Sequence, residues 1–207
     1  TLDPLSSGTS LTLTVRGNDG TGRTVNDVVV GEVWLCSGQS NMALPVSKAK
    51  DFEIEQPAAV WPNIRMLQKN KWVVCSPATV GEFSATAYFF GREIHRKTGV
   101  PVGLINLSSG GTPITLWTSL EAQQAVPELS PILASTRAPQ MAGTESVRQA
   151  KADHEQALEV EGKQAVVNAK AEPGYLFKDR ILPLIPYAIR GVIWYQGEAD
   201  SYTVNAK

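Results

Sequence analysis

The ten residues Val33-Trp34-Leu35-Cys36-Ser37-Gly38-Gln39-Ser40-Asn41-Met42 constrain this chain more than any other stretch. An apolar run, Val28 to Val30 and then Val33 to Cys36, has the Val-rich character of a buried strand. It breaks at Ser37-Gly38, where glycine permits a tight turn at no steric cost. Ser40 follows at once, and Asn41-Met42-Ala43-Leu44 can begin a helix before Pro45 interrupts it. A serine at the carboxyl end of a strand, on a turn opening toward a helix start, has its hydroxyl held out of the sheet. The unpaired N–H groups of the helix start favour a developing negative charge beside it. Taken alone, Ser40 suits a helix N-cap equally well.

The other segments supply neighbours for that strand. Ser10 to Val15 alternates polar and apolar, Gly17 to Gly22 is a turn cluster, and Thr24 to Val30 reads as a return strand. Val46 to Pro62 is polar and broken by prolines, and Asn63 to Leu67 is a candidate strand. Ala85 to Lys97 carries Ala87, Phe90 and Ile94 on one stripe and ends in a basic turn with Gly99 and Pro101 beyond, which predicts an amphipathic helix. Val102 to Leu107 follows as a buried strand, and Ile189 to Tyr195 as another. A helix leading into a strand is the alternation of a parallel sheet. From Glu121 to Glu172 the composition turns to Ala, Gln, Glu and Lys, and 144–171 reads as a long solvated helix in a packing insertion or lid.

Totals narrow the partners. A chain of 207 residues suits one α/β domain with a small appendage. The net charge of −1, without a basic block, argues against nucleic acid and anionic membranes. No apolar run approaches a membrane span, and no signal-peptide pattern opens the chain. The start at Thr1-Leu2-Asp3-Pro4 suggests a fragment or processed product. Cys36 and Cys75 are the only cysteines; with two histidines and no metal-ligand spacing, neither a zinc site nor any other metal or organic cofactor is expected.

Two further strand ends complete a constellation. Strand 102–107 runs into Ser108-Ser109-Gly110-Gly111-Thr112-Pro113-Ile114, and strand 189–195 into Gln196-Gly197-Glu198-Ala199-Asp200. In an open parallel sheet, ligands bind beyond the carboxyl ends of the strands. All three stretches should reach that edge, bringing a hydroxyl nucleophile (Ser40), backbone donors (Ser40, Gly110-Gly111) and an amide donor (Gln196). A nucleophile with an oxyanion hole is an acyl-transfer site. The pattern is not the G-x-S-x-G of the α/β-hydrolase elbow.

These blocks resemble the sialate O-acetylesterase family of carbohydrate esterases, within the SGNH-hydrolase superfamily. The matching residues are W-L-C-S-G-Q-S-N-M (34–42), F-S-A-T-A-Y-F-F-G-R-E (83–93), P-V-G-L-I-N (101–106), G-G-T-P-I-T-L-W-T-S (110–119) and G-V-I-W-Y-Q-G-E-A-D (191–200). The resemblance covers nearly everything from about residue 28. It implies an α/β fold, a flavodoxin-like three-layer α/β/α sandwich around a central parallel sheet over 31–207. Residues 1–30 are then a short remnant of an upstream β-domain. It further implies serine-dependent hydrolysis of sugar O-acetyl esters in an extracellular or periplasmic location. Ser40 is then the nucleophile, the Gly110-Gly111 turn and Gln196 complete the oxyanion hole, and Asn41 and Glu198 support the turns.

Two departures are visible. Ser109 stands where the family has Trp before the glycine pair, and Asp200 where Q-G-E-A-N is common. No D-x-x-H occurs in the chain, whereas such an esterase takes its Asp and His from a block well downstream of Q-G-E. His95 reads as a cation in the last turn of a helix, and His154 as solvated. The expectation is an esterase domain lacking its C-terminal Asp/His block, inactive alone unless a C-terminal segment or partner chain supplies them, and leaving strand 189–195 as an open edge. Rival readings are a deacetylase of acetylxylan or another polysaccharide, and a non-catalytic carbohydrate-binding relative using Ser109, Trp117 and Tyr202. A nucleotide-binding domain lacks its glycine fingerprint.

Overall fold

In a computed structural model, residues 5–8, 10–68, 70–131, 133 and 172–204 are described, the last three by their main chain. The chain divides into two compact units, Thr1–Gly110 with Ala188–Gln196, and Gly111–Tyr187 with Gly197–Lys207.

The first unit opens with a hairpin of β1 (Ser10–Arg16) and β2 (Gly22–Val29). Its polar face is laced across the strands by Ser10 to Asp27, Thr12 to Asn26 and Thr14 with Thr24. Asp27, in a left-handed conformation at φ 57°, takes a two-pronged ion pair from Arg65 at 2.7 and 2.9 Å, fastening the hairpin to the main sheet. The apolar run expected to be continuous is split at Gly31: Val28 and Val29 belong to β2, and a new strand begins at Glu32. At Gly31 a Cβ would come within 2.2 Å of the Pro101 carbonyl oxygen.

The main sheet has β3 (Glu32–Gly38), β4 (Trp61–Gln68), β5 (Lys71–Cys75), β6 (Val102–Asn106) and β7 (Gly191–Tyr195), in the order β5-β4-β6-β3-β7. Four strands are parallel, as expected of α/β alternation, but β5 is antiparallel, so the sheet is mixed. The cause is the connection: two residues separate β4 from β5, enough for a hairpin and far too few for a crossover. From β3 the chain passes β6 to reach β4, and from β6 it passes β3 to reach β7. The connections leaving these adjacent strands therefore depart in opposite directions, the topological arrangement at which open α/β sheets bind ligands beyond the carboxyl ends of their strands.

Helix α1 (Ser40–Ala43) follows β3, and α2 (Phe52–Ala58) occupies part of the stretch expected to be mostly loop. The predicted amphipathic helix is α3 (Ala85–Thr98). Ser84 caps it by accepting the Ala87 N–H at 3.1 Å, and Gly99 ends it at φ 69°. It buries Ala85, Ala87, Tyr88 and Gly91, while Phe90 meets the Trp34 ring edge-on at 4.9 Å. Beneath lie Ile64, Met66, Val102 and Leu104, fully buried and each stabilising by about 1.5–3 kcal/mol.

In the second unit, α4 (Ile114–Trp117) and α5 (Leu120–Gln124) are followed by short 3-10 and π-helical turns at 127–129, 177–181 and 182–184, then by α6 (Glu198–Val204). Its core is Leu116, Trp117 and Leu176. The helix expected over 144–171, and His154 within it, lie outside the described residues.

Candidate active site

The site is built on three strand ends brought level by register. Cys36 of β3 pairs with Asn106 of β6, and Gly38 with Tyr195 of β7. Beyond the ladder the pairing continues through single hydrogen bonds. Leu107 N–H donates to the Cys36 carbonyl at 3.0 Å and Ser109 N–H to the Gly38 carbonyl at 2.9 Å; on the other flank Gln39 N–H donates to the Tyr195 carbonyl at 2.9 Å. The turn carrying Ser40 is thus clamped from both sides, and all of these residues belong to the first unit.

Glycine at 38 is a requirement of that clamp. Its φ is 139°, and a Cβ there would lie 2.0 Å from the Tyr195 carbonyl oxygen. Ser40 is the first residue of α1 and is solvent-exposed. The N-cap is Gln39, without a side-chain capping bond, so the capping role weighed for Ser40 is not what it does. Among the described residues its hydroxyl makes no hydrogen bond.

Gly110 lies against Ser40. A Cβ on Gly110 would meet the Ser40 Cβ at 3.7 Å and its Cα at 3.8 Å. Absence of a side chain here leaves the hydroxyl's flank open and brings a main-chain segment alongside it. Gln196 directly follows Tyr195, so its backbone is fixed by the bond that holds Gln39. Asn41 is exposed; its carbonyl accepts from Thr86 Oγ1 at 3.2 Å, while Met42 beneath is buried and accepts from the Ser84 hydroxyl. This ties the Ser40 helix to the beginning of α3.

Gly111 and Glu198 fall in the second unit. Gly111 takes φ 69°, a left-handed turn conformation, in open space. Glu198 opens α6 and its carbonyl accepts from Ser201 Oγ at 2.7 Å. Asp200, two residues on, is half-buried and takes the Ile114 N–H on both carboxylate oxygens, at 3.0 and 3.2 Å. Trp117, considered as a sugar platform, is instead buried, its indole N–H given to Thr112 Oγ1 at 2.9 Å. The Tyr202 side chain lies outside the described residues.

Among the described residues the one histidine, His95, is not at this edge. It sits in the last turn of α3, with Nδ1 2.8 Å from the Val100 carbonyl and its ring edge-on to Trp61 at 6.1 Å. The first turn of α3 is bonded to α1, and a rise of about 1.5 Å per residue puts His95 roughly 15 Å farther along the helix. Cys36 and Cys75 are buried and unbridged. Burial pushes both thiols up to about 12, with the Glu55 charge adding to the shift at Cys75. No group of metal-ligating side chains occurs among the described residues.

Sequence reasoning placed Ser40, the glycine pair and Gln196 just past the ends of β3, β6 and β7, which is where they lie along the chain. It missed the Ser109 N–H and the Tyr195 carbonyl, whose roles depend on register. It also missed Gln123, buried with its amide donating to the Thr115 and Thr118 carbonyls at 2.7 Å each.

Residues 30–128 match the family described as carbohydrate esterase, sialic acid-specific acetylesterase. The chain is 29% identical to rat (Rattus norvegicus) sialate O-acetylesterase over 86% of its own length and 36% of the relative's. For the human (Homo sapiens) sialate O-acetylesterase the figures are 27%, 85% and 32%. A solved carbohydrate acetylesterase from Xanthomonas citri superposes with a TM-score of 0.70 at 29% identity, covering 97% of this chain and 40% of that one. The chain thus spans about a third of the length of these curated relatives. The family match falls on β3, α1, α3 and β6, the elements that carry and brace Ser40, and over that stretch the chain resembles the sialic acid-specific acetylesterases among carbohydrate esterases.

Proposed function

We propose that this chain carries the nucleophile and oxyanion-hole portion of a serine carbohydrate O-acetylesterase. The observation that carries the proposal is the two-sided clamp on the Ser40 turn together with Gly110 against the Ser40 Cβ. Ser40 Oγ attacks the acetyl carbonyl of an O-acetylated sugar while a base takes its proton. The N–H of Ser40, the Gly110-Gly111 turn and the Gln196 amide receive the oxyanion. The tetrahedral intermediate collapses, the sugar hydroxyl leaves with the proton from the base, and water then releases acetate from the acetyl-serine.

The base comes from outside the described residues, since His95 stands at the far end of α3. An imidazole with its Asp, on a further segment or a partner chain, fits that role. Asn41 and Glu198 act as supports of their turns. Similarity to sialate O-acetylesterases supports O-acetylated sialic acid over acetylated polysaccharide as the substrate class, and the 9-O-acetyl ester is the specific substrate of this reading. A flavodoxin-like three-layer arrangement over 31–207, a distinct β-segment at 1–30 and an exported location accompany this reading.

The test is hydrolysis of p-nitrophenyl acetate, 9-O-acetyl sialic acid and acetyl-xylan. It is run on the 207-residue chain and on any longer natural chain containing it, each against Ser40→Ala. Turnover on the sialic acid ester should fall at least roughly a thousandfold in Ser40→Ala wherever the base is present. Equal turnover by parent and variant in every form overturns the proposal, and faster turnover of acetyl-xylan overturns the substrate.

A further inference from the structure

We infer that Asp200 is a positioning residue for the oxyanion-side turn, an inference that rests on the function proposed above. The turn Gly110-Gly111 is followed by Thr112, by Pro113 in extended conformation and then by α4. Pro113 has no N–H, so Ile114 presents the first available donor of that helix start. Asp200 takes it on both oxygens, from a position 86 residues away. The bond joins the G-G-T-P-I block after β6 to the Q-G-E-A-D block after β7, and both partners lie in the second unit.

The segment between the glycine turn and this bond transmits position well. Pro113 fixes one φ at −72°, and Thr112 is buried and bonded to Trp117. The Thr115 carbonyl, next to Ile114, accepts from Gly174 N–H at 2.8 Å and from Gln123 at 2.7 Å. Gly111, at φ 69° with open space where a Cβ would stand, makes no hydrogen bond among the described residues. The turn therefore takes its position from the strand before it and from the anchored residues after it, of which Ile114 is held by the later block. Asp200 needs only an acceptor oxygen for this task. Its carboxylate is engaged in a structural bond rather than offered as a base.

The experiment compares Asp200→Ala and Asp200→Asn by amide hydrogen exchange on the 207-residue chain. Steady-state kinetics on p-nitrophenyl acetate follow, on the shortest natural form showing Ser40-dependent turnover. In Asp200→Ala, exchange at Ile114 and at Leu116, whose N–H donates to the Pro113 carbonyl, should rise on the order of tenfold, the worth of one charge-assisted hydrogen bond. Displacement of the oxyanion donor should lower kcat by about tenfold to a hundredfold with KM unchanged. Asp200→Asn keeps an acceptor oxygen and should restore both to within about threefold. Unchanged exchange at Ile114 and Leu116 in Asp200→Ala overturns the inference, as does an unchanged kcat or an equal loss in both variants. Should Ser40→Ala match the parent in every form, the esterase reading fails, and the exchange data still decide whether Asp200 holds the turn.

Discussion

The main-chain oxygen of Tyr195 occupies the space into which a side chain at Gly38 would project, 2.0 Å from the position of a Cβ. Neither partner can yield, because the same carbonyl accepts the Gln39 N–H and Gly38 itself is paired with Tyr195 in the β3–β7 ladder. Gly38→Ala therefore combines a backbone clash with a φ of 139°, and should cost about 3–5 kcal/mol. Urea unfolding measures it. A variant as stable as the parent would show that β7 does not clamp the Ser40 turn.

The two glycines after β6 should separate cleanly from that case and from each other. At Gly111 a Cβ meets nothing but the backbone is left-handed, so Gly111→Ala should cost about 1–2 kcal/mol. At Gly110 no left-handed backbone is required, and a methyl group would rest at 3.7 Å from the Ser40 Cβ. Gly110→Ala should fold within about 0.5 kcal/mol of the parent. It should nevertheless slow Ser40-dependent hydrolysis on the order of tenfold or more by crowding the nucleophile. Stability lost along with activity would place Gly110 in the fold rather than at the site.

His95 tests the location of the base. Its Nδ1 contact with the Val100 carbonyl helps close the turn between α3 and β6, and His95→Ala should cost about 1 kcal/mol of stability. Ser40-dependent hydrolysis should be unchanged in that variant, measured well below its melting temperature. A loss of a hundredfold or more would return His95 to the catalytic machinery.

How far the chain could be read without coordinates follows from which contacts are local. Three strand ends followed by Ser-Gly-Gln-Ser, Gly-Gly and Gln-Gly-Glu announce themselves through short-range chemistry: apolar runs, then residues that permit turns. Helix α3 was legible for the same reason, with Ser84 capping its start and Gly99 its end. What was hidden is long-range. The Asp200 carboxylate on Ile114 and the Arg65 fork on Asp27 span 86 and 38 residues, and no pattern in either segment announces the other. The antiparallel β5 was hidden differently: its two-residue link to β4 includes Asn70 at φ 61°, a turn signal set between apolar stretches that also suit a loop. Trp117 shows the opposite failure, since an aromatic beside a glycine turn looks like a ligand platform until its indole is found in the core.

The two thiols give a check on the core that needs no substrate. Cys36 and Cys75 are buried, unbridged and pushed up to about 12 by burial, so neither supplies thiolate at pH 8. Titration with a chromogenic disulfide should find no fast-reacting thiol in the native protein and two in denaturant. One native fast-reacting thiol would mean that its strand is not packed as described, and none in denaturant would mean a disulfide.

The acid limb of stability should carry the signature of Glu55. Burial works to raise its carboxyl, but hydrogen bonds from Arg92 and Tyr88 outweigh it and hold the group below its ordinary 4.5. Tyr88, itself fully buried and accepting from the Trp61 indole at 3.3 Å, links this cluster to β4; Arg92 also lies over the Phe89 ring at 4.9 Å. A carboxylate with a depressed folded value binds fewer protons folded than unfolded. Its stabilisation is therefore complete above about pH 4.5 and fades as pH falls through that value toward the lower folded one. Glu55→Gln should cost about 1–3 kcal/mol at pH 7, where the parent has charge-assisted bonds and the variant only neutral ones. The two proteins should converge as pH falls below the depressed folded value. Melting curves from pH 3 to 7 measure the difference directly, and a gap that stays constant across that range would assign the loss to packing instead of charge.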